Sequence, residues 1–193
     1  AQTRLADIGL ASATKNEVIV VGEANKGLKI GDTIFQYQHI RTGRDSAAQL
    51  LFKDETALTM GPNSSLILDK AVYDPEKKAG EISVRAVSGA FRFISGSSPG
   101  GSYPINTPAG TVGIRGTWIE MLVDGDTLRI IVRRGLVRFC NAAGACANIF
   151  PGYEMRALKD QFHASARDRR GRPGGGGGGA GAGGGAPPPV VPS

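Results

Sequence analysis

Catalytic chemistry in proteins often depends on histidine, and this chain contains only two histidines, His39 and His163. They do not form a His-x-x-x-His or similar spacing, so the sequence predicts no metal site. A Ser-His-Asp arrangement would have to use one of these two residues, and no Gly-x-Ser-x-Gly nucleophile elbow is present. We therefore predict a protein that is not an enzyme and that holds no cofactor.

Carboxylates occur in three small groups: Asp54-Glu55, Asp74 with Glu76, and Asp124 with Asp126. Paired carboxylates are compatible with glycoside chemistry. The Asp124-Gly125-Asp126 tip is compatible with weak Ca²⁺ binding, although it is far shorter than an EF-hand loop. All three groups lie at predicted turns, so solvated turn residues are the simpler interpretation.

Cys140 and Cys146 are the only cysteines, and they flank a short link in what the pattern predicts to be the last hairpin. If the strands pair across this link, the two side chains can meet and form a disulfide. Two free thiols in a reducing compartment are the alternative. We favour the disulfide because the chain has features of an exported protein, as described below.

The most constrained stretch is INTPAGTVGIRGTW, Ile105–Trp118, in which Gly110, Gly113 and Gly116 follow a strict spacing of three. Pro108 and the glycines disfavour a helix, and the β-branched residues between them favour a strand. A dinucleotide-binding loop requires a different glycine spacing and a following helix, so nucleotide binding is not predicted. Three threonines are predicted to satisfy the backbone around the glycines: Thr107, Thr111 and Thr117.

Arg115 is the single charge in the run from Ile105 to Ile119. A buried arginine is costly unless it is paired. It could tie the carbonyls of adjacent strands or a carboxylate such as Glu120 or Asp124. It could instead present its guanidinium to an anionic ligand or to a partner's carboxylate. We favour the buried structural role.

The elements that must position these residues are short strands. Ala48, Leu50 and Phe52 alternate on one face of a predicted strand, and the Asp124-Gly125 pair between two alternating runs indicates a hairpin. Frequent glycine turns predict a single all-β domain of many short strands. Tyr153–Arg167 is the one predicted helix. The large aromatic residues are predicted to lie in the core: Phe52, Phe91, Phe93, Trp118 and Phe139.

TPAGTVGIRGTW resembles the signature of the FecR-like domain family, which opens with Thr-Pro-x-Gly-Thr and closes with Arg-Gly-Thr. The residues that carry this resemblance are Thr107, Pro108, Gly110, Thr111, Gly113, Arg115, Gly116 and Thr117. Leu28–Asp69 resembles the family's first half, Ser88–Phe91 its middle and Arg134–Val137 its end. The resemblance covers residues 15–157.

The resemblance implies a β-solenoid or β-roll and a relation to regulators of iron-citrate transport. Those regulators pass a signal from an outer-membrane receptor across the inner membrane to a sigma factor. Their anti-sigma segment and transmembrane helix are not recognisable in this sequence. We therefore expect a standalone binding or sensing module of the bacterial cell envelope, whose partner is an envelope protein or a small ligand. The alternative is a structural or surface-assembly scaffold.

The predicted organisation is a lead-in over residues 1–14, the FecR-like domain over 15–157, a basic segment over 158–172 with a possible short helix, and a disordered Gly/Pro-rich tail over 173–193. Residues 1–155 carry 17 basic and 15 acidic residues, so the count predicts no nucleic-acid binding by the folded body. The basic segment is either a solvated linker or a contact for nucleic acid or anionic lipid.

No run of apolar residues is long enough for a transmembrane helix. The sequence opens Ala1-Gln2 without an initiator methionine, as a chain does after its signal peptide has been removed. A trimmed chain would look the same. We favour an exported, periplasmic or secreted protein.

Overall fold

The computed structural model describes residues 5–74, 79–96, 103–158 and 161–167, which contain 15 strands and no helix. The all-β prediction is confirmed. In chain order the strands are β1 (Asp7–Lys15), β2 (Val18–Val21), β3 (Lys26–Gly27), β4 (Thr33–Phe35), β5 (His39–Thr42), β6 (Ala47–Phe52), β7 (Ala57–Met60), β8 (Ser65–Asp74), β9 (Ala79–Ile94), β10 (Tyr103–Thr107), β11 (Gly110–Asp124), β12 (Thr127–Asn141), β13 (Cys146–Ile149), β14 (Tyr153–Leu158) and β15 (Gln161–Ala166).

The strands form one branched sheet in which every described pair is antiparallel except β9 with β10. Three long strands, β9, β11 and β12, change neighbours part-way along their length. One end of each long strand belongs to a half-sheet whose strand order is β4-β1-β6-β7-β9-β11-β12-β14-β15, and we call it the first half-sheet. The other end belongs to a half-sheet whose strand order is β3-β2-β5-β8-β9-β10-β11-β12-β13, and we call it the second half-sheet.

Both half-sheets contribute to one hydrophobic core. The largest fully buried side chains include Ile34, Leu50, Leu58 and Ile119 from the first half-sheet and Ile40, Leu66, Ile105 and Phe139 from the second. Alternate residues of each strand point inward, as the period of two requires. The alternation predicted at Ala48, Leu50 and Phe52 is confirmed, since all three are buried.

β9 passes from one half-sheet to the other at Gly89. This glycine has a φ of +107°, and a Cβ on it would lie 2.5 Å from the Cα of Ser64. Residues on one side of it pair with β8 and residues on the other side pair with β7 and β11. Only glycine permits both this backbone conformation and this close approach.

The helix predicted for Tyr153–Arg167 is wrong, because this segment forms β14 and β15. Met155 and Ala157 are buried at a period of two, whereas Leu158, which the helical spacing placed on the apolar face, is exposed. β14 pairs with β12 over five residues. This tertiary pairing satisfies the backbone and overrides a weak helical pattern.

Other predicted boundaries shift as well. The predicted lead-in contains most of β1, which pairs with β4 and β6. The predicted loop Tyr73–Gly80 is shortened at both ends, since β8 extends to Asp74 and β9 begins at Ala79. The predicted disordered tail, residues 173–193, lies outside the described residues. Within those residues the structure has no helix that could cross a bilayer.

Candidate functional site

The Thr-Pro-x-Gly-Thr part of the signature forms the tight turn between β10 and β11. The Thr107 hydroxyl donates to the Gly110 carbonyl at 2.8 Å and accepts from the Gly110 N–H at 3.2 Å. Gly110 has a φ of +154°, and a Cβ on it would lie 2.8 Å from the ring of Phe139. Pro108 is exposed at the tip. The turn therefore brings β11 close to β12 and has a structural role.

The Arg-Gly-Thr part of the signature forms a β-bulge. The register between β11 and β12 shifts between Arg115 and Trp118, so that residues 116–117 lie opposite Gly135 alone. Gly135 belongs to the Arg134-Gly135 step, which the sequence analysis matched to the family separately. The two family-like steps are therefore the two sides of one bulge, which increases the local twist and bend of both strands.

The bulge is held from a neighbouring strand and lies where the half-sheets join. The Thr117 N–H donates to the Ser95 hydroxyl at 2.6 Å, and the Ser95 N–H donates to the Thr117 carbonyl at 2.9 Å. Residues of β11 before the bulge pair with β10, and residues after it pair with β9. The signature thus determines how β11 passes between the half-sheets.

Arg115 is exposed on the outer face of the second half-sheet, so the buried role that we favoured for it is wrong. Its guanidinium makes no ion pair with any residue that the structure describes. Arg115 and Arg138 instead line a groove of about 310 Å³. The rest of the groove is lined by Pro104, Thr111, Gly113, Ile114, Leu136 and Cys140.

Between positions 79 and 158, arginine is the only basic residue type. All eight basic residues from position 79 to position 158 are arginines, and β12 alone carries four of them. They alternate with the buried residues of their strands and therefore lie on the outer surface. The nearly equal numbers of positive and negative residues in the folded body conceal this uneven distribution. A guanidinium is suited to bidentate recognition of carboxylates and phosphates.

Glu120 binds two of these arginines. Its Oε1 lies 3.1 Å from Arg92 Nη2 and its Oε2 lies 3.1 Å from Arg133 Nη2, which links β9, β11 and β12. Partial burial raises the pKa of Glu120, but the hydrogen bonds and charges of Arg133 and Arg92 outweigh it and lower this pKa below 4.5. The carboxylate is therefore ionised at neutral pH.

Glu154 is the most enclosed charge that the structure describes, with 1% of its side chain exposed. It accepts hydrogen bonds from Arg129 Nε at 2.5 Å and from Arg156 Nε at 2.9 Å, and Arg167 Nε lies 3.7 Å away. The hydrogen bonds from Arg129 lower its pKa below 4.5; burial opposes this shift and Arg156 adds to it. The cluster joins β12 to β14 and the end of β15.

The disulfide between Cys140 and Cys146 is confirmed, with the two Cα atoms 4.1 Å apart. The two residues are direct register partners on β12 and β13. Gly144 has a φ of +90° in the link between the strands, a conformation that favours glycine. The bond fastens β13, an edge strand, beside the groove that Cys140 lines.

The structure brings together one serine and one histidine that the sequence did not connect. His39 Nε2 lies 2.6 Å from the Ser65 hydroxyl, and Ser65 lines a polar hollow of about 320 Å³ together with Glu17 and Arg41. Burial and then the charge of Arg41 lower the pKa of His39 below 6.5. No described carboxylate contacts the other ring nitrogen, so the pair lacks the third group that orients a catalytic histidine.

The acidic turns are used locally. Asp54 is buried and accepts hydrogen bonds from the Thr56 N–H and hydroxyl, which shapes the β6–β7 turn. Asp124 and Asp126 lie exposed at the β11–β12 hairpin, which confirms the predicted turn. Among the residues described, no three His, Cys, Asp or Glu side chains gather in a way that could hold a metal ion.

Besides Arg115, two side chains lie where the sequence did not place them. Trp118, which was predicted to lie in the core, is 38% exposed, because the bulge at residues 116–117 turns it outward. Glu154 was assigned to a helix and was not recognised as the centre of a charge cluster. Its pairing with arginines depends on which strand lies beside β14, and strand order is not readable from one sequence.

Comparison with known proteins agrees with this fold. Two crystal structures of an anti-sigma factor candidate from Parabacteroides distasonis ATCC 8503 are similar, with TM-scores of 0.56 and 0.54 and sequence identities of 14% and 13%. Each alignment covers 68% of this chain, and the chain spans only 61% of the length of those proteins. No curated protein matches the chain.

The family model described as FecR protein matches residues 38–138, which include the signature stretch, the bulge and β12 as far as Arg138. The matched region is more than half of the 193 residues. On this basis the chain belongs to the FecR protein family.

Proposed function

We propose that this chain is a non-enzymatic binding and sensing domain of the bacterial cell envelope, located in the periplasm or secreted. Membership of the FecR family supports a regulatory role. The disulfide supports an oxidising compartment, because disulfides are rare in the cytosol. The likeness in fold to anti-sigma factor candidates also favours regulation over catalysis.

The observation that carries the proposal is the exposure of Arg115. A signature arginine that served only the fold would be tied to a carboxylate or to carbonyl groups. Arg115 instead faces solvent beside Arg138 and a groove, and it has no ion-pair partner among the described residues. The Arg115 guanidinium at this groove suits a carboxylate carried by a partner protein or a small ligand.

The proposal is tested by native mass spectrometry of the chain isolated gently from the envelope fraction of its own host. The parent chain should carry the additional mass of a bound partner. Arg115→Ala should lose that mass while its melting temperature stays within a few degrees of the parent's, because an exposed arginine contributes little to stability. The control is Arg44→Ala, which removes an exposed arginine from a turn outside the groove.

A bare chain in every spectrum would contradict a stable binding role. A ladder of self-assembled chains in place of a partner would favour the structural scaffold. Equal partner occupancy in Arg115→Ala and the parent would show that binding occurs elsewhere on the domain.

A further inference from the structure

Five apolar side chains form a straight row across the outer face of the first half-sheet. Each is the direct register partner of the next: Leu10 on β1, Leu51 on β6, Ala57 on β7, Ile94 on β9 and Trp118 on β11. The four large members are 41%, 38%, 37% and 38% exposed. We call these five residues the apolar row. Isolated exposed apolar residues are ordinary, but a contiguous set on one face marks an interaction surface.

The spacing of the row indicates the shape of its partner. Four steps between neighbouring strands at about 4.8 Å give a length of about 19 Å. An α-helix of about 13 residues has this length, and its pitch of about 5.4 Å places one side chain per turn close to each strand. An extended segment would place same-side residues about 6.8 Å apart, which does not match. Ala57, the small central member, leaves room for a helix to approach.

The charges around the row indicate the partner's charge. Arg134 is the register partner of Trp118 at one end of the row, is exposed, and makes no ion pair within the described ranges. Arg92 and Arg133 lie beside the row, and the carboxylate between them, Glu120, is already shared by both. A partner carrying carboxylates would complement this margin.

The same charges disfavour two other occupants. A second copy packed face to face, with the Trp118 ends of the two rows together, would bring these arginines against their counterparts. The chain beyond residue 167 contains three arginines and a single aspartate, so it too has the wrong sign.

We infer that the apolar row is a docking surface for an acidic amphipathic helix of a partner protein, which lies across the strands with its apolar stripe on the row. Helices commonly bind in this way through anchors at i, i+3, i+4 and i+7. The inference goes beyond the proposed function, because it concerns a different surface from the Arg115 groove and commits to one class of partner.

Trp118 makes the test direct because it is the single tryptophan of the chain and lies in the row. The probe is a tryptophan-free synthetic peptide of about 14 residues with leucine on one helical face and glutamate on the other. Its addition should shift Trp118 emission to the blue in a saturable manner and protect it from acrylamide. A peptide of the same pattern with lysine in place of glutamate should have no effect.

The variant for this test is Leu51→Ser combined with Ile94→Ser, which should weaken peptide binding at least about tenfold. The matched control is Leu158→Ser, which changes an exposed leucine of β14 outside both the apolar row and the Arg115 groove and should bind like the parent. Circular dichroism would verify that each variant is folded before it is titrated.

Three results would overturn the inference: no response to the acidic peptide, an equal response to the lysine peptide, or parent-like binding by the double variant. A blue shift with anionic phosphatidylglycerol vesicles but not with the peptide would assign the row to a lipid surface instead. In native mass spectra from the host, loss of the partner in Arg115→Ala but not in the double variant would refute the docking row while leaving the proposed function intact.

Discussion

At the scale of single residues, Glu154 shows how an outward-facing carboxylate becomes a buried one. Its position in β14 points it away from the core, yet the side chains of three arginines cover it. Long arginine stems can bury a neighbour while their own charged ends stay partly in water. The cluster therefore fixes β14 and the end of β15 against β12 from outside.

Glu154→Gln should lower the free energy of unfolding by about 2 kcal/mol, because the charged hydrogen bonds to Arg129 and Arg156 are replaced by weaker ones. Urea unfolding followed by circular dichroism measures this loss. Glu120→Gln is the control, since Glu120 is more exposed and exposed pairs contribute up to about 1 kcal/mol. Equal losses in the two variants would refute a special role for the enclosed site.

The difference in unfolding free energy between the parent and Glu154→Gln should depend on pH. The pKa of Glu154 is lower in the folded state than its ordinary value of 4.5. The stabilisation is therefore complete above the unfolded pKa and is lost as pH falls through the folded one. The difference in unfolding free energy between the parent and Glu154→Gln should be constant at neutral pH and should shrink below about pH 4.5. A difference that grows on acidification would reverse this sign.

At the scale of elements, the bulge between β11 and β12 explains why the signature is rich in glycine. Gly135 has a φ of +80°, and a Cβ there would lie 2.9 Å from Thr117 Cα and in contact with the Gly116 carbonyl. Gly116 has a φ of +58° with open space around its Cβ position. Gly135 is therefore required by both its backbone conformation and the close packing around it, and Gly116 by its backbone conformation alone.

Gly135→Ala should destabilise the domain by more than about 2 kcal/mol, because a methyl group adds a clash to the cost of a positive φ. Gly125→Ala isolates the conformational cost, since Gly125 has a φ of +56° at a hairpin tip with nothing within 4 Å. It should lose about 1 kcal/mol. Thermal melts of both variants provide the measurement, and equal losses would show that the bulge can relax.

The disulfide is a second feature that holds two strands together. It closes a loop with a sequence separation of 6 between β12 and the edge strand β13. A loop this short reduces unfolded-chain entropy only modestly, so replacing both cysteines with serine should cost about 2 kcal/mol. The melting temperature in the absence and presence of reductant should differ for the parent and not for the double variant. Two titratable thiols in the unreduced, unfolded parent would contradict the bond.

At the scale of the whole molecule, one core links the two half-sheets. β9, β11 and β12 run through both, and residues of both belong to the same buried cluster. Opening one half-sheet alone would expose apolar side chains of strands that remain paired in the other. The described domain is therefore expected to unfold as one unit.

This expectation is tested with two probes in one urea titration. Trp118 fluorescence reports on the first half-sheet near the bulge, and far-UV circular dichroism reports on all strands. The two transitions should coincide for the parent, and also for Leu66→Ala, a core variant from the second half-sheet whose midpoint should fall. A separate early transition seen by only one probe would show that the half-sheets unfold independently.

The sequence alone determined the class of structure and most of the local geometry. The period-two alternation at Ala48, Leu50 and Phe52, the Asp-Gly hairpin at residues 124–125 and the cysteine pair are local patterns. Each could be read because its physical cause lies within a few residues of chain: side-chain alternation, turn conformation and loop length. The family signature was readable for the same reason.

The tertiary structure decided which outward-facing residues act together. Arg115 and Trp118 were both expected to be inside. Arg115 lies outside because it alternates with the buried Ile114, and the bulge that follows turns Trp118 outside. The cluster at Glu154 and the apolar row from Leu10 to Trp118 exist only because certain strands lie side by side. Strand order and register are set by packing between distant parts of the chain, and no local spacing encodes them. The surfaces proposed for binding therefore became visible only in the folded molecule.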